Sequence, residues 1–140
     1  MKIRIIAALL AALALSACAI SQDVRPVLLA PAAEVCIVRN ADVRPGFLEA
    51  IERNVSQRGY ATRTLDAGSS PQTCPTVMTY TANWTWDMTM YLVYARMDIY
   101  QNGVRTGEAE YNARAGSANM GKYISADEKV AELIAELFQR

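Results

Sequence analysis

Val77-Met78-Thr79-Tyr80-Thr81-Ala82-Asn83-Trp84-Thr85-Trp86 alternates apolar or aromatic side chains with threonine and asparagine, without a break. Successive side chains of a strand point to opposite faces, so Met78, Tyr80, Ala82, Trp84 and Trp86 share one side and the threonines face water on the other. Asp87 and Met88 turn the chain. Tyr91, Val93, Ala95, Met97 and Ile99 then form an apolar face, opposed by Met90, Leu92, Tyr94, Arg96, Asp98 and Tyr100. Asn102-Gly103 is a strong hairpin signal, because both positions of a type I′ turn need positive φ. The return strand runs from Val104 to about Arg114, with Gly107, Ala109, Tyr111 and Ala113 on one side. This antiparallel meander sets the fold class.

The flanking segments add helices with one apolar face each. Upstream, Val35-Cys36-Ile37-Val38 reads as a short central strand, and Asn40-Ala41-Asp42 breaks it. Pro45 opens a helix, where its missing N–H costs nothing. Phe47, Leu48, Ile51 and Val55 fall on one side of it, against Glu49, Glu52 and Arg53 on the other. Gly59 ends it as a left-handed cap, and Tyr60 to Leu65 alternates as a second strand. Asp66 to Pro75 is a turn-rich loop. Downstream, Ala115 to Tyr123 is a small-residue loop. Ser125 with Glu128 makes a capping box for a last helix striped by Val130, Leu133, Ile134, Leu137 and Phe138. The order β-α-β-β-β-β-α predicts an α+β two-layer sandwich: a mostly antiparallel sheet with two helices packed on one face.

The N-terminus speaks to address. Lys2 and Arg4 precede an apolar run from Ile5 to Leu15, and Ser16 and Ala17 are small. A run of about eleven residues is too short for a membrane-spanning helix but suits a secretory signal. Leu15-Ser16-Ala17-Cys18 resembles a lipobox, which implies a signal peptide over residues 1–17 and a lipid-modified N-terminal Cys18 as the membrane partner. Two or three acyl chains, at ~0.8 kcal/mol per buried methylene, hold a protein stably. Ala19, rather than aspartate, follows the cysteine; by resemblance to Gram-negative sorting this implies the outer membrane, facing the periplasm. Ala19 to Ala33, with Pro26 and Pro31 and no periodicity, reads as a tether within residues 18–33. Its Val27-Leu28-Leu29 triplet is apolar enough to pack on the domain, which is expected over residues 34–140.

Setting Cys18 aside leaves Cys36 and Cys74, 38 residues apart, in a chain bound for an oxidising compartment. They read as a disulfide, with buried free thiols or a metal pair as the other two readings. Zero histidines and no CxxC spacing weigh against a metal, and no cofactor is implied. Lys and Arg total 14 against 14 Asp and Glu, and no basic stripe exists, so nucleic acid is not an expected partner.

Chemistry-bearing residues cluster on the meander. Tyr80, Trp84, Trp86 and Asp87, followed by Tyr94 and Arg96, offer flat rings with charges to orient a sugar or a stacked ring. The same rings can instead form the core against the helices or a surface for a protein partner. Arg96 and Asp98 point the same way as a solvated pair. Glu108 and Glu110 lie two apart on one face, as a carboxylate pair would, and as ordinary exposed glutamates do. Ser117 and Ser125 have no histidine base. No catalytic residues are expected.

Taken together, the lipobox, Val35-Cys36-Ile37-Val38, Phe47-Leu48, Arg58-Gly59-Tyr60, Cys74-Pro75, Tyr80 to Asp87 and Tyr100-Gln101-Asn102-Gly103 resemble small proteobacterial lipoproteins of the Sbal type, a family of unknown function. The resemblance implies a two-cysteine framework and an envelope location, and carries no catalytic residue. In layout alone, the chain is similar to outer-membrane lipoproteins that regulate cell-wall synthases. The expected function is that of a lipid-anchored, non-enzymatic envelope protein binding an envelope or cell-wall component, with a small-ligand or glycan binder as the alternative.

Overall fold

A computed structural model describes residues 19–116 and 118–139. The expected signal peptide over residues 1–17, the expected lipidation site Cys18, and Ser117 lie outside the described residues.

Six strands form one sheet in the order β1-β6-β5-β4-β2-β3. They are β1 (Ser21–Arg25), β2 (Glu34–Val38), β3 (Ala61–Leu65), β4 (Thr76–Asp87), β5 (Thr89–Gln101) and β6 (Val104–Asn112). Helix α1 (Pro45–Gln57) connects β2 to β3, and α2 (Ala126–Leu137) ends the fold after a 3-10 turn at Met120–Tyr123. The β4-β5-β6 meander is antiparallel, as its two tight hairpin turns require. Strand β2 pairs in parallel with both β3 and β4, because α1 returns the chain to the starting end of the sheet before β3 and the loop over 66–75 returns it before β4. The fold class is therefore the expected α+β sandwich, with a mixed sheet.

Phe47, Ala50, Ile51 and Val55 of α1 and Val130, Leu133, Ile134 and Leu137 of α2 bury against one face of the sheet. Val35, Ile37, Met78, Tyr80, Ala82, Met97, Ile99, Ala109 and Tyr111 meet them there. The opposite face carries a smaller cluster of Cys36, Val38, Cys74 and Val77, edged by Leu65 and Tyr100. Local signals behave as read: Gly59 has φ +88°, Asn102 and Gly103 have φ +51° and +81°, and the Ser125–Glu128 capping box is formed in both directions.

Two expectations are corrected. The segment read as a tether is structured from Ser21, where β1 adds antiparallel to β6 from Ser21↔Asn112 to Arg25↔Glu108. Val27 is buried, its N–H donates to the Leu137 carbonyl at 2.8 Å, and it bridges to Phe138. The folded unit thus begins about a dozen residues before Glu34. A short charged edge strand, SQDVR, shows no period of two because one side chain, Val24, packs inward. The second correction is on β5. A register shift between Asn83 and Trp84 pairs Trp84 with Leu92, so Leu92 is buried in the core where strict alternation had put it on the wet side.

Candidate functional site

The six residues singled out on the meander divide among three places. Tyr80 is buried beneath α1; its hydroxyl accepts from the Asn40 N–H at 3.2 Å, and its carbonyl accepts from the Asn40 side-chain amide at 3.0 Å. Trp84 is half-buried, edge-on to Phe47 at 5.8 Å, with the Arg44 guanidinium 5.0 Å above its ring. Both belong to the core and its rim.

Tyr94 and Arg96 lie on the open face of the sheet. The Tyr94 hydroxyl donates to Glu110 at 3.1 Å, and Arg114 sits 4.2 Å over the Tyr94 ring. Burial, then Glu110, raises the Tyr94 pKa. Arg96 donates to Asp98 at 3.0 Å and pairs with Glu108 and Glu110 at 3.2 Å each. Its own pKa is raised, first by the Asp98 hydrogen bond. Arg105 reaches Asp98 at 3.2 Å and Glu108 at 3.1 Å. The register produces this network by placing Arg96 opposite Glu110 and Asp98 opposite Glu108. The Arg96–Asp98 pair, expected as a solvated one, is part of a lattice of three carboxylates shared by two guanidiniums. Glu108 and Glu110 are ion-paired acceptors within it.

Trp86 and Asp87 occupy the tip of the β4–β5 hairpin, past the cover of the helices. Met88 makes the turn at φ +62°, and Trp86 stands opposite Met90 across the ladder. Trp86 is 70% exposed, Met88 81%, Met90 47%, and Met120 of the 3-10 turn 72%. The Asp87 carboxylate is held by Lys122 at 2.6 Å, and the Tyr123 hydroxyl donates to the Asp87 carbonyl at 3.0 Å. Lys122 is buried, 5.3 Å from the Tyr91 ring centroid and 5.1 Å from that of Tyr123. The hydrogen bond to Asp87 raises its pKa. Tyr91 and Tyr123 pack edge to face at 5.4 Å. The 3-10 turn therefore braces the hairpin in an extended pose.

The six residues do not converge on one pocket. One surface cleft runs past Leu29, Pro31, Arg58 and Tyr60, another past Asn40, Ala41 and Tyr80, and a third past Arg44, Phe47 and Trp84; each holds at most one of the six. Lys122 and the three methionines escaped sequence reasoning. A buried lysine in an aperiodic loop leaves no pattern, and the Met88–Met90 pair sits where the alternation is interrupted by the turn. Met and Trp at a turn, where glycine and asparagine are usual, is the one signal that marked this tip.

Cys36 and Cys74 form a disulfide, with their Cα atoms 6.4 Å apart. It ties the loop before β4 to the open face of β2. The Arg63 guanidinium, paired with Glu34 at 3.0 Å, lies 3.1 Å from the Cys74 sulfur. Among the described residues, Glu34, Cys36 and Cys74 come nearest to a metal-ligand set. The disulfide uses both sulfurs.

No protein-family model matches the sequence, and no curated protein does. Among solved structures, the chain is similar to the PelC dodecamer of Paraburkholderia phytofirmans, with a TM-score of 0.60 and 13% identity over 86% of this chain and 99% of that one. A single-substitution variant of the same dodecamer aligns with a TM-score of 0.49 and 12% identity, over 85% of this chain and 94% of that one. At such identity the likeness to the first of these is one of fold.

Proposed function

We propose that this chain is a lipid-anchored envelope protein, placed at the periplasmic face of the outer membrane, whose α+β domain binds another envelope component without turning over a substrate. The observation that carries this reading is the join between signal and fold: the lipobox-like residues end at Cys18 and the sheet starts at Ser21. Acyl chains on Cys18 hold the domain directly against the bilayer, with no spacer. The open face offers a network of paired charges, and Tyr94, Arg96, Glu108 and Glu110 are spent on one another there, which suits a docking surface better than a reaction centre. The fold likeness to PelC, described as a dodecamer, supports counting further copies of this chain among the components it binds.

Crosslinking in intact cells followed by mass spectrometry tests the reading. Capture of a second copy or of another envelope protein is expected. A domain that captures neither while hydrolysing a cell-wall substrate reverses it. The glycan-binding alternative now rests on Trp86 alone, the one exposed ring of the candidate set. It requires a ligand whose thermal shift is abolished by Trp86→Ala and kept by Thr85→Ala.

A further inference from the structure

Of the six large apolar side chains exposed among the described residues, four gather at one end of this molecule, while Leu28 and Val104 lie at the other. Trp86, Met88 and Met90 lie within the β4–β5 tip, and Met120 projects from the turn that braces it. Isolated exposed hydrophobics are ordinary, but a contiguous set at a projecting tip marks a contact surface. The tip is fixed before it meets anything, since Lys122, Tyr123 and Tyr91 hold it from behind. Little ordering entropy is then lost on contact. Between Asn83 and Tyr94 the one acidic residue is Asp87, and Lys122 is its partner.

The chain topology says what lies at this end. Ser21 pairs with Asn112, and Asn112 pairs with Tyr94, so β1 begins at the end of the sheet from which the β4–β5 tip projects. The Ile20 side chain packs where a Cβ on Gly116 would stand, within 2.8 Å, and 3.8 Å from the corresponding point on Gly121, next to Met120. Cys18 is two residues further on, at most about 7 Å of chain. From Tyr94 the hairpin extends up to about 20 Å beyond that pairing at ~3.3 Å per residue. A bilayer close enough to take acyl chains from Cys18 is therefore within reach of the tip.

We infer that the β4–β5 tip, with Trp86, Met88, Met90 and Met120, is a second and non-covalent membrane contact that inserts into the phospholipid interface beside the anchor. The position of the bilayer rests on the lipidation of Cys18 proposed above; the apolar, braced tip does not. The residue types suit that medium. Tryptophan places an apolar ring and a donor N–H at the interfacial depth, and flexible methionine side chains fill disordered acyl packing. One lipid chain gives reversible binding and two signals give stable attachment; the tip supplies an additional signal that also orients the domain.

The test uses the full chain, isolated with whatever groups it carries and reconstituted in phosphatidylethanolamine–phosphatidylglycerol vesicles containing brominated lipid. Trp84→Phe leaves Trp86 as the single tryptophan. A blue-shifted Trp86 emission, quenched more by bromine near the headgroup than by bromine deep in the chains, is expected. Met88→Asp with Met90→Asp should abolish the quenching while the acyl label, read separately by mass spectrometry, is unchanged. An acylated protein whose Trp86 emission stays at the water-exposed wavelength and unquenched overturns the inference and leaves the anchor standing. A blue shift insensitive to bromine and dependent on protein concentration also overturns it, assigning the tip to a second copy. Missing acyl label removes the anchor instead, and quenching by added vesicles still decides the tip.

Discussion

Tyr111 is 1% exposed, and its hydroxyl has no hydrogen-bond partner among the described residues, although Lys129 stands 4.6 Å over the ring. An unsatisfied buried hydroxyl costs on the order of 1–3 kcal/mol, and removing it with the ring retained recovers part of that. Tyr111→Phe is accordingly expected to leave the unfolding free energy unchanged or to raise it by about 1 kcal/mol, as measured by urea denaturation; a clear loss would mean that the hydroxyl is bonded. Cys36 and Cys74 make the opposite case, since both sulfurs are used. Their bond closes a loop of 38 residues, and its reduction should lower stability by about 3–4 kcal/mol in the chain-entropy view. An unchanged midpoint in reductant contradicts the bond. At this scale the sequence was readable where a residue's role depends on its neighbours in the chain, as with Asn102-Gly103 and Ser125–Glu128. It failed for Trp84 against Trp86. The two share a strand face, and what separates them is how far the helices reach, which no local pattern records.

Elements were legible in proportion to how one-sided they are. Helices α1 and α2 each have one dry stripe, and β4 and β6 each have one wet face, so their periods stand out. Strand β1 contributes one inward side chain and two charged ones, and it lies at the sheet edge; its existence is decided by the free ladder of β6 rather than by its own composition. Its removal is therefore a sharp test. A chain starting at Glu34 leaves the β6 edge unpaired and uncovers Leu137 and Phe138, and we expect a lower melting temperature and self-association by light scattering. Equal stability of the two lengths would mean that β1 is an accessory. Gly107 gives a milder version: a Cβ there meets Val27 Cβ at 3.0 Å and Ile99 Cβ at 3.4 Å. Gly107→Ala should destabilise by roughly 1–3 kcal/mol through overpacking, with Val27→Gly, which removes the Cβ it meets, relieving part of the cost. Additive losses in the double variant would exclude the clash. The β5 irregularity stayed hidden because Leu92 and Val93 are both apolar, so either could have been the inward residue.

For the molecule as a whole, alkaline pH is the exposed flank. Burial raises the Tyr94 and Tyr111 pKa values above 10.0, and the Asp87 hydrogen bond raises that of Lys122 above 10.5. In all three the folded state holds its proton more tightly than the unfolded chain. The stability they contribute is complete below about pH 10 and declines as pH rises through the folded values. Denaturation midpoints should hold between pH 7 and 9 and fall above pH 10, with a shallower fall in Tyr111→Phe. A midpoint that rises above pH 10 contradicts the assignment. Val27 and Phe138 hold the two extremities of the domain together, and Gln22 reaches both Glu136 at 2.7 Å and Lys129 at 2.9 Å. The β1 ladder needs the chain only as far as Asn112, whereas the contacts of Gln22 and Val27 with the last helix need its final dozen residues. A chain delivered front end first would therefore hold all six strands before the stripe of its last helix arrived to close the core.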